Sequence, residues 1–158
     1  MRVWAPLGQT PSVRVDTQRD MTHFYGCLNL STGQQIAMQA QTMNSESTAL
    51  FLNQVVQRYP DKPILLLWDR ATWHGGQAVK DFLAAHPKIE VMKFPPGSPD
   101  LNPQEHVWKL TREKVSHNHL MPKLDVLAEA FASYLVNSVF KSTILDKYGY
   151  SAICPMFK

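Results

Sequence analysis

Long apolar runs are missing from this chain. Nothing in it approaches the about eighteen consecutive apolar residues that a membrane-spanning helix needs, so no membrane partner is expected. The opening MRVWAPLGQT has no extended apolar core and reads as no secretory leader. Cysteine is scarce: Cys27 and Cys154 stand far apart without ligand spacing, which argues against a disulfide scaffold or a structural zinc site and for a reducing compartment. Charge is scarce too, at 18% against 44% hydrophobic, the reverse of a disordered chain. Neither a repeat, nor a low-complexity tract, nor a linker divides the 158 residues, so one domain over 1–158 is expected, long enough to bury a real core. Sixteen Lys and Arg against thirteen Asp and Glu leave +3, which permits a nucleic-acid partner without requiring one.

What is present begins with strand signals. Residues 10–15 and 23–30 are rich in β-branched, aromatic and small apolar residues, and Ser31, Thr32 and Gly33 suit a hairpin turn into a third strand over 35–40. Asn44 or Ser45 caps a helix running to about Tyr59, with Leu50, Phe51, Leu52, Val55 and Val56 as its apolar face. The run ILLLW, ending at Trp68, has the pattern of a strand covered on both faces. A helix over 77–85, a strand over 89–94, a rigid Pro-Pro-Gly-Ser-Pro loop and helices over 103–116 and 123–136 follow. Strands first, then alternating helices and strands, predict an α/β domain with an antiparallel part followed by a parallel part.

Two acidic positions stand out. Asp69 directly follows the apolar strand, where the carboxyl ends of parallel strands border a binding crevice. Its structural alternative is to accept from the backbone N–H groups of Ala71 and Thr72. His74 lies in the same loop. In SPDLNPQEHVW, Asn102 suits an N-cap, Pro103 the first helical position, and Asn102-x-x-Glu105 a capping box. That box is the local structural reading of Glu105. The functional one puts Glu105 in the first helical turn, where it shares a divalent ion with Asp69. Asp100 reads as a turn residue, and Trp108 as packing toward the domain. Two carboxylates on separate elements are the minimum for a Mg²⁺ or Mn²⁺ site that works with substrate phosphates. Two close ions need a third acidic residue, which the sequence does not clearly offer.

WDRATWH followed by FPPGSPDLNPQEHVWKLTREK strongly resembles the catalytic core of DDE transposases of the IS630/Tc1/mariner superfamily. On that resemblance Asp69 matches the second catalytic carboxylate, Glu105 the third, His74 the trailing histidine and Trp108 the packing tryptophan. The thirty-five residues between Asp69 and Glu105 are close to the family's interval. The W-x-P-x-G-x-x-P segment at Trp4, Pro6, Gly8 and Pro11 also matches. The resemblance implies a ribonuclease H-like mixed sheet flanked by helices, Mg²⁺ or Mn²⁺ as cofactor, and DNA (transposon end and target) as partner. It implies phosphodiester hydrolysis at a transposon end followed by strand joining, in the bacterial cytoplasm at the nucleoid.

Two departures accompany it. Arg70 stands where the family has Asn. The family's first carboxylate lies on a strand before the W-x-P-x-G segment, so the expectation is a domain incomplete at its N-terminal strand, with Asp16 and Asp20 poor substitutes. An unpaired strand edge there makes a homodimer the expected consequence. Lys109, Arg112 and Lys114, with His117, His119 and Lys123 nearby, read either as a solvated face or as phosphate contacts. The rival from another class is a non-catalytic nucleic-acid-binding or structural remnant that keeps the fold. A ribonuclease H-like nuclease outside transposition is a third reading, against which SPDLNPQE argues.

Overall fold

The computed structural model describes residues 21–116 and 123–140. The expected strand over 10–15, the W-x-P-x-G-x-x-P segment, Asp16, Asp20, His117, His119 and the tail from Lys141 lie outside the described residues.

The chain enters as a hairpin, β1 (His23–Leu28) antiparallel to β2 (Gln35–Ala40), with Tyr25 opposite Met38 and Gly26 opposite Ala37. Asn29 shapes the turn by accepting from Ser31 N at 2.9 Å and Thr32 N at 3.0 Å. Alternation along β1 then sorts its side chains between two cores. Tyr25 and Cys27 join Phe51 and Val55 on one face, while Phe24 and Leu28 join Val107, Leu135 and Phe140 on the other.

Helix α1 (Ser45–Arg58) forms where expected, capped by a reciprocal box in which Asn44 accepts from Ser47 N at 2.8 Å and Ser47 Oγ accepts from Asn44 N at 3.1 Å. Phe51, Leu52 and Val55 are buried, each stabilising by about 1.5–3 kcal/mol. Leu50, expected on that face, is instead 63% exposed, because three neighbouring positions already fill the stripe facing the strands. Thr48, at 2% exposure, hydrogen-bonds the Tyr25 hydroxyl at 3.0 Å and locks α1 to the hairpin.

Strand β3 (Ile64–Trp68) pairs in parallel with β4 (Ile89–Lys93) across the intervening helix α2 (Gln77–Ala85). Leu52, Trp68 and Val79 form the core between α1, α2 and this pair. β3 is half-buried along most of its length and fully buried only at Trp68. Among the described residues the antiparallel and parallel ladders are two separate two-stranded sheets rather than one continuous mixed sheet.

Helix α3 (Pro103–Thr111) and α4 (Leu124–Asn137) cover the hairpin's second face. The α-helix predicted over 103–116 gives way at Thr111 to a π turn over Arg112–Ser116. Thr111 is fully buried and its hydroxyl bonds back to Val107 O at 2.8 Å, the kind of contact that distorts a helix at that turn. No helix among the described residues is long and apolar enough to cross a membrane.

Candidate metal and DNA site

The carboxyl end of β3 delivers Asp69 into a loop that turns at once into a short 3-10 turn, Thr72–Gly75. Asp69 Oδ1 accepts from Ala71 N at 2.9 Å and lies 3.1 Å from His74 Nδ1. The Ala71 contact was expected; Thr72 makes none with it, and His74 takes that place. The His74 ring stacks on Trp68, 4.4 Å between centroids and 5° from coplanar. Burial draws the imidazole below its ordinary pKa, and the charge of Lys93 pushes the same way, while the Asp69 carboxylate opposes both. A neutral His74 therefore donates Nδ1–H to Asp69, steering that carboxylate while leaving it 53% exposed.

Strand β4 leads into the loop Phe94 to Pro99, where Gly97 takes φ 67°, a conformation open to glycine and strained for side-chain-bearing residues. Arg70, just past the end of β3, is tied to the start of this loop, its Nε donating to Phe94 O at 3.0 Å. Asp100 lies in the turn Pro99–Leu101, as expected.

The start of α3 settles what Glu105 does locally. Asn102 caps the helix, but its side chain accepts from Gln104 N at 3.0 Å. The Asn102 N–H that a capping box would offer to Glu105 goes instead to Pro99 O at 3.0 Å. The capping box predicted for Asn102 and Glu105 is thus absent, because the preceding turn already supplies the acceptor. The Glu105 carboxylate is exposed and has no hydrogen-bond or ion-pair partner among the described residues.

Asp69, Arg70, Asn102 and Glu105, together with the Phe94 to Pro99 loop, line one cavity of about 190 Å³. Both acidic residues singled out by sequence therefore face the same space. Among the described residues no cluster of three or more His, Cys, Asp or Glu could hold a metal. The donor set fits a hard divalent cation that completes its shell with water and phosphate oxygens, which needs one or two carboxylates. It does not form a closed protein cage.

Two contacts escaped sequence reasoning. Gln35 on β2 bonds Gln104 beside Glu105, and Gly26 on β1 admits the Trp108 ring. Both join residues far apart in sequence, and neither has a local signature. Lys109, Arg112 and Lys114 are all exposed and make no salt bridge among the described residues. The π turn shifts the register between Lys109 and the other two, so they do not form one α-helical stripe.

The family model for the DDE superfamily endonucleases matches residues 1–128. Over 120 residues the chain is 27% identical to an uncharacterized 39 kDa protein of insertion element IS630 from Shigella sonnei, covering 73% of this chain and 34% of that protein. Over 61 residues it is 36% identical to the uncharacterized protein y4pE/y4sA of Sinorhizobium fredii (strain NBRC 101917 / NGR234), covering 39% of this chain and 42% of that protein. The matches thus span less than half of either relative, 34% and 42%. Among solved structures, the Mos1 transposase paired-end complex with left transposon end superposes with a TM-score of 0.71 at 17% identity, over 100% of this chain and 51% of that one. The catalytic domain of Mos1 mariner transposase gives 0.63 at 18% identity, over 82% of this chain and 69% of that one. The fold is therefore the ribonuclease H-like fold of transposase catalytic domains, and the chain belongs to the DDE superfamily of endonucleases.

Proposed function

We propose that this chain provides a transposase-type phosphoryl-transfer site in which Asp69 and Glu105 jointly hold Mg²⁺ or Mn²⁺ against a DNA phosphate. The carrying observation is that Glu105, released from any capping role, lines the same cavity as Asp69. Divalent metal use is general to the family, and one of the matched solved structures is a transposase complex with its left transposon end.

Each residue has a distinct task. His74 donates to Asp69 Oδ1 and leaves Oδ2 for a cation. Glu105 adds a second negative oxygen donor from the first turn of α3. Held by Asp69 and Glu105, a divalent cation would supply Lewis-acid polarisation of a phosphoryl oxygen and activation of the attacking hydroxyl. Lys109, Arg112 and Lys114 would meet flanking phosphates, fixing DNA position without reading its sequence. Single-domain organisation over 1–158, self-association through a strand edge and action at the bacterial nucleoid belong to this reading.

The non-catalytic nucleic-acid-binding reading has one observation in its favour. Only two carboxylates of the described residues line the cavity, and two close ions need more negative charge than that. Calorimetric titration of the full chain with Mn²⁺, followed by nicking of supercoiled plasmid, tests both. Saturable Mn²⁺ binding lost in Asp69→Ala and in Glu105→Ala, with nicking lost alongside, supports the enzyme. Binding to DNA without any Asp69- or Glu105-dependent metal uptake supports the remnant.

A further inference from the structure

Among the described residues, Arg70 is the one cation lining the cavity that holds Asp69 and Glu105. A guanidinium so placed would ordinarily ion-pair with a carboxylate, but among the described residues Arg70 pairs with neither. Its Nε is committed to a backbone carbonyl, Phe94 O, at 3.0 Å. That bond ties the exposed side chain to the start of the Pro-rich loop and leaves both Nη groups without a partner among the described residues. A planar guanidinium anchored through Nε presents its two Nη groups as a fork, the geometry that grips two oxygens of one phosphate. The anchoring matters because an exposed arginine otherwise loses rotamer freedom on binding.

We propose that Arg70 is a phosphate-gripping residue, holding the non-bridging oxygens of a DNA phosphate over Asp69 and Glu105. This rests on the metal-and-DNA reading of the same cavity. The charges are consistent with it: two carboxylates and one fixed guanidinium leave the lining at −1, and a divalent cation turns it positive, ready for a phosphodiester. The same sum gives Arg70 a second effect, which is to weaken metal binding before DNA arrives. Arg70 is thus a substrate-positioning group, and DNA and metal should bind with positive coupling.

The test uses the full chain and a fluorescein-labelled duplex, with anisotropy read across a salt series in Ca²⁺, and Mn²⁺ calorimetry without DNA. Arg70→Ala should weaken DNA binding about tenfold or more and lower the salt slope by about one. Arg70→Lys should keep the slope, because the charge remains, while recovering only part of the affinity, because the fork is lost. Mn²⁺ affinity without DNA should be equal to wild type or higher in both variants. DNA affinity and slope unchanged in Arg70→Ala, with Mn²⁺ binding intact, would overturn this inference alone. A fall in Mn²⁺ affinity matching that of Asp69→Ala would also overturn it, by making Arg70 a structural prop. Mn²⁺ binding that ignores both Asp69→Ala and Glu105→Ala defeats the underlying reading, and this is seen in calorimetry before DNA is added. Should Arg70→Ala fail to fold, Arg70→Lys decides by its affinity alone: wild-type binding overturns the fork.

Discussion

The Gln35 side-chain amide donates to Gln104 Oε1 across 3.0 Å, tying the second strand of the hairpin to the first turn of the helix that carries Glu105. The reciprocal pair, Gln104 Nε2 and Gln35 Oε1, is buried and unbonded. The contact is therefore half of an amide dimer. It positions Glu105 at some cost, since each buried unmatched group forfeits its water.

Gln104→Ile should destabilise the fold by about 1–3 kcal/mol, because Gln35 is left buried with both amide ends unmatched. Adding Gln35→Leu should return most of that loss, since an apolar pair needs no partners. Urea unfolding of the two single variants and the double variant measures the cycle. Stability losses that simply add would show that the two amides do not depend on each other.

Gly26 governs how closely α3 approaches β1. A Cβ built there would sit 2.6 Å from the Trp108 ring and 2.6 Å from Gln104 Nε2. The amide can swing aside, but the ring is held against Phe131. Gly26→Ala should therefore cost about 1–3 kcal/mol as an overpacked site. Because α3 must shift outward, Mn²⁺ affinity should fall with it. Calorimetry at a temperature where the variant is fully folded separates the two effects, and an unchanged affinity would mean that α3 yields without moving Glu105.

Cys27, half-buried as a residue, turns its thiol to the α1 side of the hairpin, and desolvation there pushes the thiol up to about 11 from 9.0. Two units leave about a hundredfold less thiolate than a free cysteine at the same pH. Iodoacetamide at pH 8.5 should therefore label Cys27 slowly in the native chain and quickly in urea, with peptide mass spectrometry reporting the site. Between pH 9.0 and about 11 the unfolded chain loses this proton and the folded chain keeps it. Stability should consequently fall as pH rises through that window, and below it the thiol contributes no slope. Native labelling at the unfolded rate would refute the burial.

Much of this architecture could be read along the chain. The bounds of β2 and α2 follow from apolar spacing and from turn residues at Gly33 and Gly76, all local signals. That Asp69 and Glu105 would border one crevice was legible because a strand end and a proline-started helix fix their backbones independently of the rest. Glu105 was misread at one point, as half of a capping box. The spacing was right, but which acceptor reaches Asn102 N depends on the turn at Pro99, a geometric fact that sequence spacing does not encode. Leu50 failed for a similar reason, because a helix stripe has a centre only once its neighbours are placed. The Arg70 tether and the Gln35 to Gln104 bond join positions 24 and 69 residues apart and existed only after folding.

His74 offers the cleanest separation between holding a carboxylate and merely packing beside it. Its Nδ1 lies 3.1 Å from Asp69 Oδ1, and its ring stacks on Trp68. Ala71 N remains as a second donor to the same oxygen, so Asp69 keeps its place but loses its lateral restraint when the imidazole is removed. His74→Ala should lower Mn²⁺ affinity about tenfold, the scale expected when a group orienting a metal ligand is lost. His74→Phe keeps the stack on Trp68 without the donor, and His74→Asn keeps a donor without the stack. If the hydrogen bond carries the effect, Asn restores part of the affinity and Phe restores none, even where Phe restores thermal stability. Calorimetry alongside thermal melts reads both quantities on the same samples. Mn²⁺ affinity recovered by Phe and not by Asn would assign His74 to packing alone.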